Sequence, residues 1–209
     1  AGLELEVYSG FMRDTKYQRS YELDAFSIGD DIRLSRPSRL MATAAHYQYA
    51  FARRCGFFMD HYLIEDDSTY YSAESLQANA RSHCIVHGYW QSVRYFQAIE
   101  QELREDLKFS RDLQPRNQEI ARGMQNSESV AIHVRRVQYD GAIGADYYDA
   151  AISAIRRELP NAKLYCFTDA PVWCEQMLLP KYEMTLINNT GLPAIEDFQL
   201  MSQCRHYII

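Results

Sequence analysis

Apolar and polar positions follow a regular rhythm in the last third of the chain and a looser one before it. Val130-Ala131-Ile132-His133-Val134 is an apolar run of strand length. Tyr148, Ala151, Ile152, Ile155 and Leu159 recur at helical spacing, and Pro160 stops the pattern. Lys163 to Phe167 predicts a second strand, and Val172, Trp173, Met177 and Leu178 a second helix. Met184 to Ile187 is a third strand, and Phe198, Leu200, Met201 and Cys204 mark a third helix. His206 to Ile209 open a fourth strand. Strands and helices alternating at this spacing predict an α/β fold with a Rossmann-like, mostly parallel, doubly wound sheet. Ligands of such sheets sit outside the carboxyl ends of the strands, so the residues just after each strand are the candidates for chemistry.

Upstream the reading is coarser. Ser38, after Pro37, predicts a helix through Leu40, Met41, Ala44, Ala45, Tyr47 and Phe51, with Arg53 and Arg54 near its end and Gly56 as its stop. Glu65-Asp66-Asp67 reads as an acidic loop. Another helix is expected from Ser92, with Tyr95, Phe96, Ile99, Leu103 and Leu107 on one stripe and Glu100 and Arg104 four apart on its polar face. The polar stretch from Arg111 to Asn126, holding Pro115 and Gly123, is the expected boundary between residues 1–126 and 127–209.

Composition narrows the function classes. A net charge of −6 and a pI near 5.5 argue against nucleic acid as a partner, so an anionic ligand needs a local basic cluster. The five cysteines are widely spaced with no C-x-x-C pair, which fits reduced thiols in a cytoplasmic protein better than a disulfide framework or a zinc site. No apolar run approaches the roughly 18 residues that span a bilayer. The chain opens on Ala1-Gly2-Leu3 and stops in the apolar Ile208-Ile209, so both ends read as cut.

The basic cluster lies at the end of the first regular strand, in Ile132-His133-Val134-Arg135-Arg136. Side chains alternate along an extended chain, which puts His133 and Arg135 on one side and Arg136 on the other. An arginine fork suits phosphate because it donates paired hydrogen bonds. A rim of arginines paired with acids is the plainer alternative. The second strand ends in Phe167-Thr168-Asp169, where Asp169 is placed either to cap the next helix or to accept N–H groups from a purine edge. Tyr89, Trp90 and Tyr95 form either a sugar-stacking platform or ordinary buried packing.

Four segments resemble the bacterial-type α-1,2-fucosyltransferases, in the family's order. His133-Val134-Arg135-Arg136 is similar to its H-x-R-R signature, and His87-Gly88-Tyr89-Trp90-Gln91-Ser92 with Tyr95-Phe96 to its G-Y-W-Q-S…Y-F segment. Phe167-Thr168-Asp169 with Trp173-Cys174 resembles its [FY]-x-[ST]-D…W-C segment. Glu196-Asp197-Phe198, Leu200-Met201-Ser202 and Ile208-Ile209 resemble its E-D…L-M-S…I-I segment. The resemblance implies a two-lobed, GT-B-like glycosyltransferase with an acceptor-side lobe in 1–126 and a GDP-fucose-binding lobe in 127–209. It implies inverting transfer of L-fucose from GDP-β-L-fucose to the 2-hydroxyl of a galactoside, without a metal or other cofactor. Arg135 would hold the diphosphate with Arg136 beside it, His133 and Asp169 would contact guanine, and Tyr89 and Trp90 would lie on the acceptor side. Where the family continues R-R-G-D-Y, this chain reads Arg135-Arg136-Val137-Gln138-Tyr139-Asp140, which moves the acidic position to Asp140, the candidate general base. The family's G-G-L-G-N-Q-M-F and N-S-S-F-S-W-W segments are absent.

Three other readings compete with this one. A dinucleotide oxidoreductase finds no support, since Gly141 and Gly144 do not complete a G-x-G-x-x-G after a strand. A metal-dependent transferase would use Glu65 and Asp67, which an acidic surface loop explains more simply. A non-catalytic sugar- or nucleotide-binding module would use the same arginines and aromatics but release no product.

Overall fold

Phe26 and Phe109 stack with ring centroids 4.8 Å apart and share an antiparallel bridge, within the first of two units into which the chain divides, Ala1–Ser110 and Arg111–Ile209. The computed structural model describes residues 6–8, 21–35, 47, 51, 54, 62–64, 85–137, 143–189 and 191–209. In the first unit, β1 (Glu6–Tyr8) pairs in parallel with β2 (Arg33–Ser35), and β3 (Tyr62–Ile64) with β4 (Ile85–His87). Ser27 N donates to Lys108 O at 2.8 Å and Ser110 N to Ala25 O at 2.8 Å, fastening both sides of the phenylalanine pair.

The helix expected from Ser92 forms in pieces. Ser92 caps a 3-10 turn at Val93–Tyr95, a second such turn spans Gln97–Ile99, and α1 runs only over Glu100–Asp106. Phe96 and Ile99 sit at φ −124°, outside helical geometry. β-Branched and aromatic side chains lose rotamer freedom in a helix, and this stretch is full of them. The expected Glu100–Arg104 pair is present at 2.7 Å on an exposed face. Of the helix predicted over Leu40 to Phe51 and its flank, Tyr47, Phe51 and Arg54 are helical and exposed. Its other residues and Glu65-Asp66-Asp67 lie outside the described residues.

The second unit begins with α2 (Pro115–Gln125), with Pro115 in its first turn. Then β5 (Ser129–Val134), α3 (Ala145–Glu158), β6 (Lys163–Thr168), α4 (Pro171–Met177), β7 (Met184–Leu186), α5 (Ala194–Met201) and β8 (His206–Ile208) follow in strict alternation. All four strands are parallel, in the order β7-β6-β5-β8. Every strand and helix expected in this part of the chain is present.

Alternation along β5 sorts the core into two layers. Val130, Ile132 and Val134 face α3 and α4, where they pack with Tyr148, Ile152, Leu164, Cys166, Cys174 and Leu178. Ala131 faces the other way, toward Met124 of α2 and Leu200 of α5, together with Tyr165 and Phe167 of β6. A parallel sheet covered on both faces needs apolar residues at both parities, which is why these strands read as continuous apolar runs. The division falls at Ser110/Arg111, upstream of the expected boundary after Asn126. The polar stretch is no linker: its Ala121 and Met124 are buried against the sheet and join α2 to the second unit.

Candidate functional site

The strand order puts β6 on one side of β5 and β8 on the other. The chain therefore leaves β5 in one direction and returns on the opposite side, which makes the carboxyl end of β5 the switch point of the sheet. In doubly wound folds, a crevice opens at that place because neighbouring connections depart to opposite faces. Three predicted site residues, His133, Arg135 and Arg136, lie at this end of β5, and Asp169 follows the adjacent strand β6.

Asp169 does not cap α4. The cap position is Ala170, with no side-chain cap, and Ala170 N donates instead to Thr168 Oγ1 at 2.9 Å. The Asp169 carboxylate turns toward β5 and accepts Arg136 N at 2.8 Å on one oxygen and Val137 N at 3.2 Å on the other. The second and third residues beyond β5 are thus held by the first residue beyond β6. Both strands stop pairing at this point, leaving N–H groups that require acceptors.

The two arginines part company as the alternation predicts. Arg136 lies on the α4 side, its guanidinium 4.1 Å from the centre of the Trp173 ring and its Nη1 donating to Ile143 O at 2.6 Å. Arg135 is exposed and electrostatically coupled to His133. His133 is partly buried, on the Ala131 side of the strand. Burial lowers the His133 pKa below its ordinary 6.5, the Arg135 cation adds to this, and Asp169 and Asp197 oppose it. The imidazole is therefore neutral near pH 7, with one ring nitrogen donating and one accepting.

Other groups at this end of the sheet escaped sequence reasoning. Asp197, in the first turn of α5, accepts Asn189 Nδ2 at 2.6 Å; burial raises its pKa against that bond. Beside it, Glu196 is buried and accepts Gln114 N at 2.8 Å and Asn117 Nδ2 at 2.9 Å from the start of α2. Tyr147 Oη donates to Ile209 O at 2.8 Å, linking the start of α3 to the end of β8. No side chain caps α3, so its first N–H groups contribute positive potential. In the core layer on the Arg136 side of the sheet, Cys166 donates to Cys174 across 3.7 Å, a bond that lowers the Cys174 thiol pKa. A signal for Asp197 and Glu196 did exist in the E-D segment quoted above, but it named no role for either, and first-turn acids suit the helix dipole without any partner.

Tyr89 and Trp90 belong to the first unit. Tyr89 is 83% exposed, whereas Trp90 meets Tyr95 edge-to-face at 5.0 Å. Trp90 holds φ at 52°, a left-handed conformation that a bulky residue adopts only under constraint. Asp140 lies outside the described residues. Among the described residues, no three His, Cys, Asp or Glu side chains gather as a metal site.

A doubly wound sheet with two adjacent arginines at its switch point is an arrangement whose chemistry suits a phosphorylated ligand. Glycosyl transferase family 11, the α-1,2-fucosyltransferase family, matches residues 56–209, and the chain belongs to it. Membership makes it a fucosyltransferase, with a nucleotide-sugar donor and a glycan acceptor in the general sense. The chain has no match among curated proteins or among solved structures. Among the described residues, no helix is long and apolar enough to cross a membrane.

Proposed function

We propose that the chain transfers L-fucose from GDP-β-L-fucose to the 2-hydroxyl of a terminal galactoside, with inversion. We place it at the cytoplasmic face of a bacterial membrane, in surface polysaccharide synthesis. The observation that carries this reading is the arrangement at the end of β5: Asp169 fastens the backbone of Arg136 and Val137, while Arg135 stands exposed beside a neutral His133. Departure of GDP leaves negative charge on the diphosphate, and a preorganised guanidinium stabilises that charge without having to reorient. In this reading Arg135 does the work that a divalent cation does in metal-dependent transferases. His133 offers a donor and an acceptor to the guanine edge. The Asp169 carboxylate, with about four lone-pair directions and two occupied, retains acceptor capacity toward the same base.

The second unit is then the donor lobe and the first the acceptor lobe of a GT-B-like enzyme, with Tyr89 and Trp90 toward the sugar acceptor. Asp140 is the general base assigned to this reading. A positioned base contributes roughly 10²–10⁴-fold. The full-length protein, incubated with GDP-fucose and lactose in excess EDTA, should release free GDP and form a 2-linked fucoside. GDP release that requires added Mn²⁺ or Mg²⁺ rejects the metal-free scheme, and binding without any product identifies a non-catalytic module.

A further inference from the structure

We propose that Trp173 is a positioning residue for donor binding: by stacking on Arg136 it holds that arginine on the α4 side of the β5 terminus and so keeps Arg135 directed to the opposite, ligand-facing side. The inference rests on the donor reading above and deepens it.

Arg136 is anchored at three points. Its backbone N–H is held by Asp169 at 2.8 Å, its Nη1 by the Ile143 carbonyl at 2.6 Å, and its guanidinium face by the indole at 4.1 Å. Trp173 is itself fixed, partly buried against the α3/α4 core layer and edge-to-face with Tyr148 at a 6.0 Å centroid distance. Tyr148 is buried in that layer beside Ile152. The stack therefore connects the sheet core to the residue that follows Arg135.

Chain geometry does the rest. Two consecutive residues leaving a strand in extended conformation point to opposite sides. Once Arg136 is fixed toward α4, Arg135 is directed toward the His133 side, where the two are electrostatically coupled. A flat guanidinium on a flat ring gains both cation–π attraction and contact area, so the arrangement is specific for Arg on an aromatic. This divides the adjacent arginines into one that builds the site and one that uses it. Alternation along the chain separates the two arginines by side, but the partners that hold Arg136 come only from the fold.

The test uses the full-length chain and calorimetric GDP binding. Trp173→Leu, which removes the ring face, should weaken GDP binding roughly tenfold, the effect of losing a partly desolvated cation–π contact. Trp173→Phe should recover most of this. Arg136→Lys, which keeps the charge but loses the flat fork, should resemble Trp173→Leu. The decisive arm is the Arg135→Ala background. If Trp173 acts through Arg135, adding Trp173→Leu there should change GDP affinity by less than about twofold. A full, additive loss in that background overturns the proposal, as does unchanged affinity in Trp173→Leu itself. A wild-type chain that binds no GDP overturns the donor reading and this inference with it. Thermal unfolding of each variant separates loss of the fold from loss of the contact.

Discussion

The Asp169 carboxylate receives the backbone N–H of Arg136 at 2.8 Å and, with its second oxygen, that of Val137 at 3.2 Å. One acid residue thereby joins the ends of two neighbouring strands just where the basic cluster begins. Fastening the backbone is the role the bonds show, meeting the guanine edge is the role proposed for the same carboxylate, and the two make different predictions. Asp169→Ala should weaken GDP binding in either case. If the guanine contact contributes, the wild-type chain should prefer GDP over the inosine analogue IDP, which lacks the 2-amino donor, and the variant should lose that preference. If fastening alone matters, GDP and IDP should weaken by the same factor. Calorimetry with the two nucleotides decides between them.

Arg135→Ala should lose most transfer activity and weaken GDP binding by about 1.5–3 kcal/mol, the range for a hydrogen bond to a charged group. Arg135→Lys should rescue poorly, because a point charge cannot reproduce the paired donors. Unchanged GDP affinity in the alanine variant would remove Arg135 from the donor site.

Glu196 should matter to stability more than to chemistry. Its Oε1 accepts both Gln114 N and Asn117 Nδ2, so α5 supplies the acid that the start of α2 lacks. Glu196→Ala strands two donors in a largely buried place and should cost about 2–4 kcal/mol. Glu196→Gln retains an acceptor oxygen and should cost about 1 kcal/mol. Faster hydrogen exchange at the Gln114 and Asn117 amides in the alanine variant is the local signature. Unaltered exchange there would show that the contact contributes nothing.

Much of the second unit could be read in advance, because each strand and helix there carries a self-contained period. Val130 to Val134 is apolar at both parities because both sheet faces are covered, and Tyr148 to Leu159 keeps one apolar stripe because its helix has one buried side. The boundary was harder. The α2 stretch is polar overall, and only the spacing of Ala121 and Met124 marks the side that packs on the sheet. At the site, His133, Arg135 and Arg136 stood out as a cluster, and Asp169 as a strand-end acid. What they do to one another did not. The Asp169 bonds cross 33 and 32 residues, and the stack of Arg136 on Trp173 is just as non-local. Such contacts depend on strand order, and the 3.6- and 2-residue periods carry no information about which strand lies beside which.

The pH response of His133 tests the electrostatics of the site directly. Its pKa is lowered from 6.5 first by burial and then by the Arg135 cation, with Asp169 and Asp197 pulling the other way. Between 6.5 and the lower folded value, the unfolded chain holds more protons than the folded one. Stability from this group therefore rises with pH through that window and is lost as pH falls through it. Asp197, raised by burial, works in the opposite sense: from 3.8 up to its folded value the folded chain holds the extra proton, so its contribution falls as pH rises. An NMR titration of the imidazole should place the His133 midpoint below 6.5. Arg135→Ala should move that midpoint up toward the ordinary value, though not fully, since burial remains. Asp197→Asn should move it further down, because a supporting negative charge is gone. Adding GDP to the wild-type chain should raise it, as a diphosphate held by Arg135 offsets the guanidinium charge that His133 feels. A midpoint that does not respond to GDP, with binding confirmed by calorimetry, would place the diphosphate away from the His133–Arg135 side of β5.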